Sequence, residues 1–196
     1  MRILCLLGSP RRDGNSSRIA KRFIKTAETL GADVTTYELN LLNFRGCQGC
    51  MACKTTRSYC VQKDDLTPIL KAIREKEADI YLLSLPIYYG ESPGQVKCFM
   101  DRCYSFLVPN YVGNPSPSRV VPGKKGVLII TQGAPEQAQT EFAERQQTWL
   151  KTRFNLDEVH LIRAWEVGAG GIPKGVPDKF LQQAEAMARN LLTHQM

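Results

Sequence analysis

Histidine occurs only twice in the 196 residues, as His160 and His194, and tryptophan is equally scarce. Neither histidine stands in a recognisable nucleophile–base setting, so a Ser–His or Cys–His hydrolase is not expected, and both read as structural or surface residues. No apolar run approaches the ~20 residues of a membrane helix. The nucleotide fingerprint GxxxxGK[ST] is absent, and no GxGxxG follows the first apolar segment. The late GAGGIPKGVP (168–177) lacks that spacing and opens no helix at the right place. Lys and Arg are scattered, with no basic run interleaved with aromatics, which argues against nucleic acid as a partner despite the net charge of +7. A basic residue and a short apolar run open the chain. Arg11, Arg12 and Asp13 follow at once without a small-residue cleavage pattern, so no signal peptide is expected and a cytoplasmic location is.

What remains is a chain suited to one domain over 1–196, with 43% hydrophobic and 23% charged residues. RILCLL (2–7) and IYLLSLP (80–86) are nearly unbroken apolar runs, as strands buried on both faces should be. VTTYEL (34–39), KGVLIIT (125–131) and VHLIRAW (159–165) complete five predicted strands. Helical patterns alternate with them at 17–31, 64–78, 93–107, 138–154 and 178–192. Five βα units imply a doubly wound parallel sheet in the order 2-1-3-4-5, with helices on both faces.

Ligands of such sheets bind beyond the carboxyl ends of the strands. GSPRRDGNSSR (8–18) joins the first strand to a helix N-terminus. Its amides, the hydroxyls of Ser9, Ser16 and Ser17, and Arg11 could surround a phosphate. An ordinary turn capped by Asn15 or Ser16 explains the same residues. LPIYYGESPGQ (85–95) sets Tyr88 and Tyr89 among main-chain donors, suited to a flat heteroaromatic ring or equally to core and interface packing. TQGAPEQ (131–137) lies at the parallel position after the fourth strand.

Four of seven cysteines fall in GCQGCMACKTTRSYC (46–60), spaced C-x2-C-x2-C-x6-C. Outside a secretory context such clusters bind metals or do redox chemistry more often than they form structural disulfides. Cys47, Cys50 and Cys53 can wrap one cubane cluster, with Cys60 looping back as fourth ligand. Zinc, a redox-active C-x-x-C pair, a disulfide and free thiols stay open. Cys5, Cys98 and Cys103 read as core. The long VPNYVGNPSPSRVVPGK (108–124), rich in proline, reads as a functional or interface-forming insertion.

Together, GSPRRDGNSS, LPIYYGESPGQVKCFMDR and TQG resemble the flavodoxin-like NAD(P)H-dependent FMN reductase family, and the cysteine loop (44–63) followed by Asp64 and Asp65 resembles its iron–sulfur flavoprotein branch. That resemblance implies FMN, with its phosphate held by Ser9, Arg11, Asn15, Ser16 and Ser17. It implies that Pro86, Ile87, Tyr88, Tyr89 and Gly90 line the isoalloxazine, closed by Thr131, Gln132 and Gly133. The flavin carries the chemistry, so no protein acid or base is expected. With it come a [4Fe–4S] cluster on Cys47, Cys50, Cys53 and Cys60, an NAD(P)H or ferredoxin-like donor, and a homodimer or homotetramer joined partly through 108–124. A cluster-free FMN, quinone or nitro-compound reductase is the alternative. A zinc-stabilised phosphate-binding module without catalysis is a third reading.

Overall fold

A computed structural model describes residues 1–75, 77–168 and 175–193. His194 and positions 169–174 of the late glycine-rich stretch lie outside the described residues. The strands are β1 (Arg2–Leu7), β2 (Asp33–Glu38), β3 (Ile80–Pro86), β4 (Lys125–Thr131) and β5 (Glu158–Ala164). All pair in parallel, in the expected order β2-β1-β3-β4-β5. The helices are α1 (Asn15–Thr29), α2 (Leu66–Arg74), α3 (Gly94–Arg102), α4 (Thr140–Arg153) and α5 (Asp178–Thr193).

Side-chain alternation along the strands splits the interior into two cores. Ile3, Cys5 and Leu7 of β1 join Ile80, Leu82, Val127, Ile129 and Ile162 beneath α1 and α5. Leu4 and Leu6 join Tyr81, Leu83, Leu85, Leu128 and Ile130 beneath α2, α3 and α4. β1 and β3 are apolar at every buried position but Ser84, because both of their faces are covered. On the second face Phe154 meets Tyr81, Phe99, Phe106 and Trp149 edge-on, at centroid distances of 5.5 to 6.3 Å. Each such pair contributes about 0.5–1.5 kcal/mol beyond burial. Cys5 and Cys103 are buried as expected, and burial pushes the Cys5 thiol up to about 12.

Three helices differ from their sequence limits for local reasons. α1 begins at Asn15, not Ser17, and its N-cap is Gly14 with no capping side chain. Neither Asn15 nor Ser16 caps it. α2 stops at Arg74 rather than running to residue 78, because the Glu77 N–H turns back to the Ala72 carbonyl before β3 begins. At its start Asp64 accepts from the Leu66 N–H (3.2 Å) while also pairing with Arg102, and Asp65 accepts from the Asn43 N–H. α3 gives way at Cys103 to a 3-10 turn, Cys103–Phe106. The 108–124 insertion folds back on its own stem, through Val108 N–H to the Pro117 carbonyl and Arg119 N–H to the Phe106 carbonyl.

Candidate functional site

A cleft of about 410 Å³ opens beyond the carboxyl edge of the sheet. Arg11 and Asn15 line it from the turn after β1, and Pro86, Ile87 and Tyr88 from the turn after β3. Thr131, Gln132 and Gly133 line it from the turn after β4. Eight of the thirteen residues that the sequence pointed to therefore share one wall system.

Backbone bonds hold these turns together. Ile87 N–H donates to the Thr131 carbonyl at 2.8 Å, Gln132 N–H to Ala164 at 2.9 Å, and Val167 N–H to Gln132 at 3.1 Å. Val167 and Gly168 complete the cleft from the turn after β5. Sequence reasoning missed them, although their place at a strand's carboxyl end was the available signal. It missed Arg163 as well, whose guanidinium binds the Gln132 side chain, the Thr140 hydroxyl and the carbonyls of Glu136 and Ala138. Gln132 in turn donates to the carbonyls of Pro135 (2.6 Å) and Ala138 (2.9 Å). The loop after β4 is thus fixed by its own Gln132 side chain and by Arg163 from β5.

The five others lie beside the cleft rather than in its lining. Ser9 and Ser17 are buried, and Ser9 Oγ accepts from the Arg11 N–H at 3.2 Å. A side-chain carbon at Gly14 would sit 2.4 Å from that oxygen, so only glycine lets the turn close this tightly. Ser16 is buried at the first turn of α1, and among the described residues its Oγ has no hydrogen-bond partner. An unsatisfied hydroxyl at a helix N-terminus next to Arg11 suits an anionic group that would complete it. Tyr88 and Glu91 exchange backbone hydrogen bonds of 2.9 Å around Tyr89 and Gly90. Both central residues have positive φ, +50° and +78°, the pattern of a type I′ turn. Tyr89 is thereby thrust fully into solvent at the rim (108% exposed). His160 lies on edge strand β5, its Nε2 3.3 Å from the Glu158 carboxylate, away from the cleft lining.

The cysteine loop packs on the second face, along α3. Cys98 and Arg102 of that helix touch the loop, while Gln95, on the same stripe at i, i+3 and i+7, holds the turn after β1. Gln95 donates to the Gly8 carbonyl (3.3 Å) and Cys98 stands against Gly46, where a side-chain carbon would meet its sulfur at 3.3 Å. Arg102 reaches Cys60. Cys98 is therefore a half-buried contact of the loop rather than a core residue. Arg102 is buried and charged. Its Nε donates to Cys60 Sγ (3.1 Å), its terminal nitrogens clasp both Asp64 oxygens (2.6 and 3.1 Å), and one also donates to the Arg45 carbonyl (2.8 Å). Burial works to raise the Asp64 pKa, but the bonds and charge of Arg102, with the N–H groups of Leu66 and Arg45, outweigh it and hold the carboxyl below the usual range.

Farther along the loop, Arg119 donates to the Cys53 carbonyl and Lys54 to the carbonyls of Tyr104 and Leu107. Cys47 and Cys50 are exposed, while Cys53 and Cys60 are half-buried. Four soft sulfur donors suit iron–sulfur or zinc chemistry. The structure holds them apart in this loop conformation: among the described residues no group of three or more Cys, His, Asp or Glu is gathered for a metal ion.

A doubly wound sheet with a polar turn at the first helix N-terminus and aromatic turns beyond β3 defines a flavodoxin-like reductase. Residues 1–157 match the family model described as NADPH-dependent FMN reductase, and the chain belongs to that family. It is an FMN-dependent oxidoreductase. A relative from Archaeoglobus fulgidus, called an iron–sulfur flavoprotein, is 28% identical over 97% of this chain and 79% of its own. A namesake from Methanosarcina thermophila is 30% identical over 58% of this chain, which spans 60% of that relative's length. The fold is shared with an FMN-dependent NADH-azoreductase from Bacillus anthracis in complex with FMN (TM-score 0.69, 13% identity, 99% of each chain). It is shared too with an NAD(P)H:quinone oxidoreductase from Methanothermobacter marburgensis (TM-score 0.68, 17% identity, 98% of this chain and 95% of that one). Family membership sets aside the reading of a zinc-stabilised binding module without catalysis. Among the described residues no helix is long and apolar enough to cross a membrane.

Proposed function

We propose that the cleft binds FMN with its phosphate at the turn after β1 and its ring between the turns after β3 and β4. Arg11, Asn15 and the amides of the α1 N-terminus, backed by Ser9, Ser16 and Ser17, hold the phosphate. Pro86, Ile87 and Tyr88 flank one side of the ring and Thr131, Gln132 and Gly133 the other, with Tyr89 and Gly90 at the rim. The carrying observation is that residues from three separate turns converge on one cavity. When bound, the flavin supplies hydride and single-electron chemistry, and a nicotinamide dinucleotide is the donor the family favours. The chain's own part is to fix the ring's edge against backbone donors. Apoprotein titrated with FMN should bind one equivalent, and Arg11→Gln should weaken binding by roughly ten- to 150-fold, since a charge-assisted bond to phosphate contributes roughly 1.5–3 kcal/mol. Loss of affinity for riboflavin as large as for FMN would place Arg11 away from the phosphate.

The cysteine loop is read as the seat of a [4Fe–4S] cluster on Cys47, Cys50, Cys53 and Cys60. The all-thiol donor set and the names of the relatives support this, as does the buried positive charge of Arg102 beside Cys60. Such a site would relay single electrons between flavin and a ferredoxin-like partner, in a homodimer or homotetramer to which 108–124 contributes; Val112 in that segment is 83% exposed. The separation of the thiols favours a second reading, a flavin-dependent quinone or nitro-compound reductase with free thiols. Iron, acid-labile sulfide and zinc content of anaerobically purified protein separates the two. Stoichiometric iron and sulfide, lowered in Cys50→Ser, supports the cluster; flavin without iron supports the second reading.

A further inference from the structure

A cavity larger than the cleft lies elsewhere among the described residues. A hollow of about 670 Å³ lies on the other side of the cysteine loop, between that loop, α2 and the base of the 108–124 insertion. Its volume is in the range of small-molecule sites. Leu70, Phe106, Val121 and Cys60 give it an apolar wall. Arg74 and Arg119 give it two guanidiniums, and Lys71 a third cation. Glu75, the one carboxylate among the described lining residues, is paired with Lys71 at 3.7 Å. Arg74 is anchored by the carbonyl (2.5 Å) and hydroxyl (3.4 Å) of Ser58, and Arg119 by the carbonyls of Cys53 and Ser105 (3.0 Å each). Neither has a carboxylate partner among the described residues. Each keeps spare N–H donors, because a guanidinium carries five.

Two anchored, unneutralised guanidiniums on an apolar hollow call for a ligand with an apolar body and one compact anion. The planar fork of arginine matches a carboxylate in two bonds. We propose that this hollow is a second ligand site, independent of the flavin cleft, which takes an aromatic carboxylate: the ring against Leu70, Phe106 and Val121, the carboxylate between Arg74 and Arg119. Phosphate or sulfate alone would leave the apolar wall wet, and a neutral arene would leave both cations unmatched. A ligand seated there rests against Cys60, so occupancy is felt at the end of the cysteine loop.

Calorimetry on FMN-loaded protein tests this with 2-naphthoate as probe and 2-naphthalenemethanol as its neutral counterpart. Naphthoate should bind one per chain, at least about tenfold more tightly than the alcohol, with the FMN content unchanged. Arg74→Gln should weaken it about tenfold. Val121→Glu, which sets a negative charge on the exposed rim without touching the anchors, should do the same, and Val121→Gln should bind as the parent does. Circular dichroism melts confirm that each variant is folded, and if Arg74→Gln is not, the two Val121 variants decide alone. Equal binding of acid and alcohol overturns the proposal. So does indifference to Val121→Glu, or release of FMN by naphthoate. Absence of naphthoate binding together with an oligomer that Val121→Glu dissociates also overturns it, and assigns the face to a second copy of the chain.

Discussion

The buried guanidinium of Arg102 bridges Cys60 and Asp64, lying 3.1 Å from the sulfur and 2.6 Å from the nearer carboxylate oxygen. It is the joint between the cysteine loop and the body of the protein. Removing one member of a buried pair leaves the other charge uncompensated, at a cost of about 3–5 kcal/mol. Arg102→Gln should therefore lower stability by several kcal/mol in urea unfolding followed by circular dichroism. Arg102→Lys should recover only part, because an ammonium cannot hold Cys60 and both Asp64 oxygens at once. A loss under about 1 kcal/mol in Arg102→Gln would show that the joint contributes little.

Acid should weaken the same joint. The folded-state pKa of Asp64 is depressed, so its ionised form contributes stability above the unfolded value of about 3.9 and loses it as pH falls through the lower folded value. Asp79 behaves likewise, held low by the Arg2 N–H and by Lys124. The urea midpoint should fall steeply below about pH 4. In Asp64→Asn the midpoint starts lower and the acid slope is shallower. An unchanged slope in that variant would remove Asp64 from the account.

How much of this was legible beforehand differs from element to element. β1, β3 and β4 were readable to the residue, because strands covered on both faces leave an uninterrupted apolar signature. The turns that line the cleft were readable because they follow those strands. Arg102 was not. In sequence it is one more base in the last turn of a helix, and its partners Cys60 and Asp64 lie 42 and 38 positions earlier. The same holds for Arg163, whose role depends on the β4–β5 register. Val167 follows β5 where no motif was read, and Gly168 opens the 168–177 stretch that was weighed as a nucleotide fingerprint.

Gly14→Ala tests the tight turn. The new methyl would sit 2.4 Å from Ser9 Oγ and 3.2 Å from the Arg11 carbonyl. Displacing them should cost about 1–3 kcal/mol of stability. FMN affinity, read by flavin fluorescence quenching, should fall together with stability. Unaltered affinity would separate this turn from the phosphate.

Tyr89 offers a test in the opposite direction. A fully exposed tyrosine at φ +50°, followed by glycine, occupies the place where type I′ turns favour asparagine. Tyr89→Asn should raise stability by about 0.5–1 kcal/mol in thermal melts, as other replacements that fit the native backbone do. If reductase activity falls while stability rises, the ring is kept for the substrate side of the cleft. If both stay level, the tyrosine is incidental.

The three contacts along one stripe of α3 make that helix a gauge. From Gln95 at the turn after β1 to Arg102 at Cys60 is seven residues, about 10 Å of rigid rise. Lengthening the cysteine loop would leave this spacing intact, whereas one residue added within α3 would swing its two ends apart by about 100°. The interval between the turn after β1 and the cysteine loop is set by a rod, and either end can be rewritten without disturbing it.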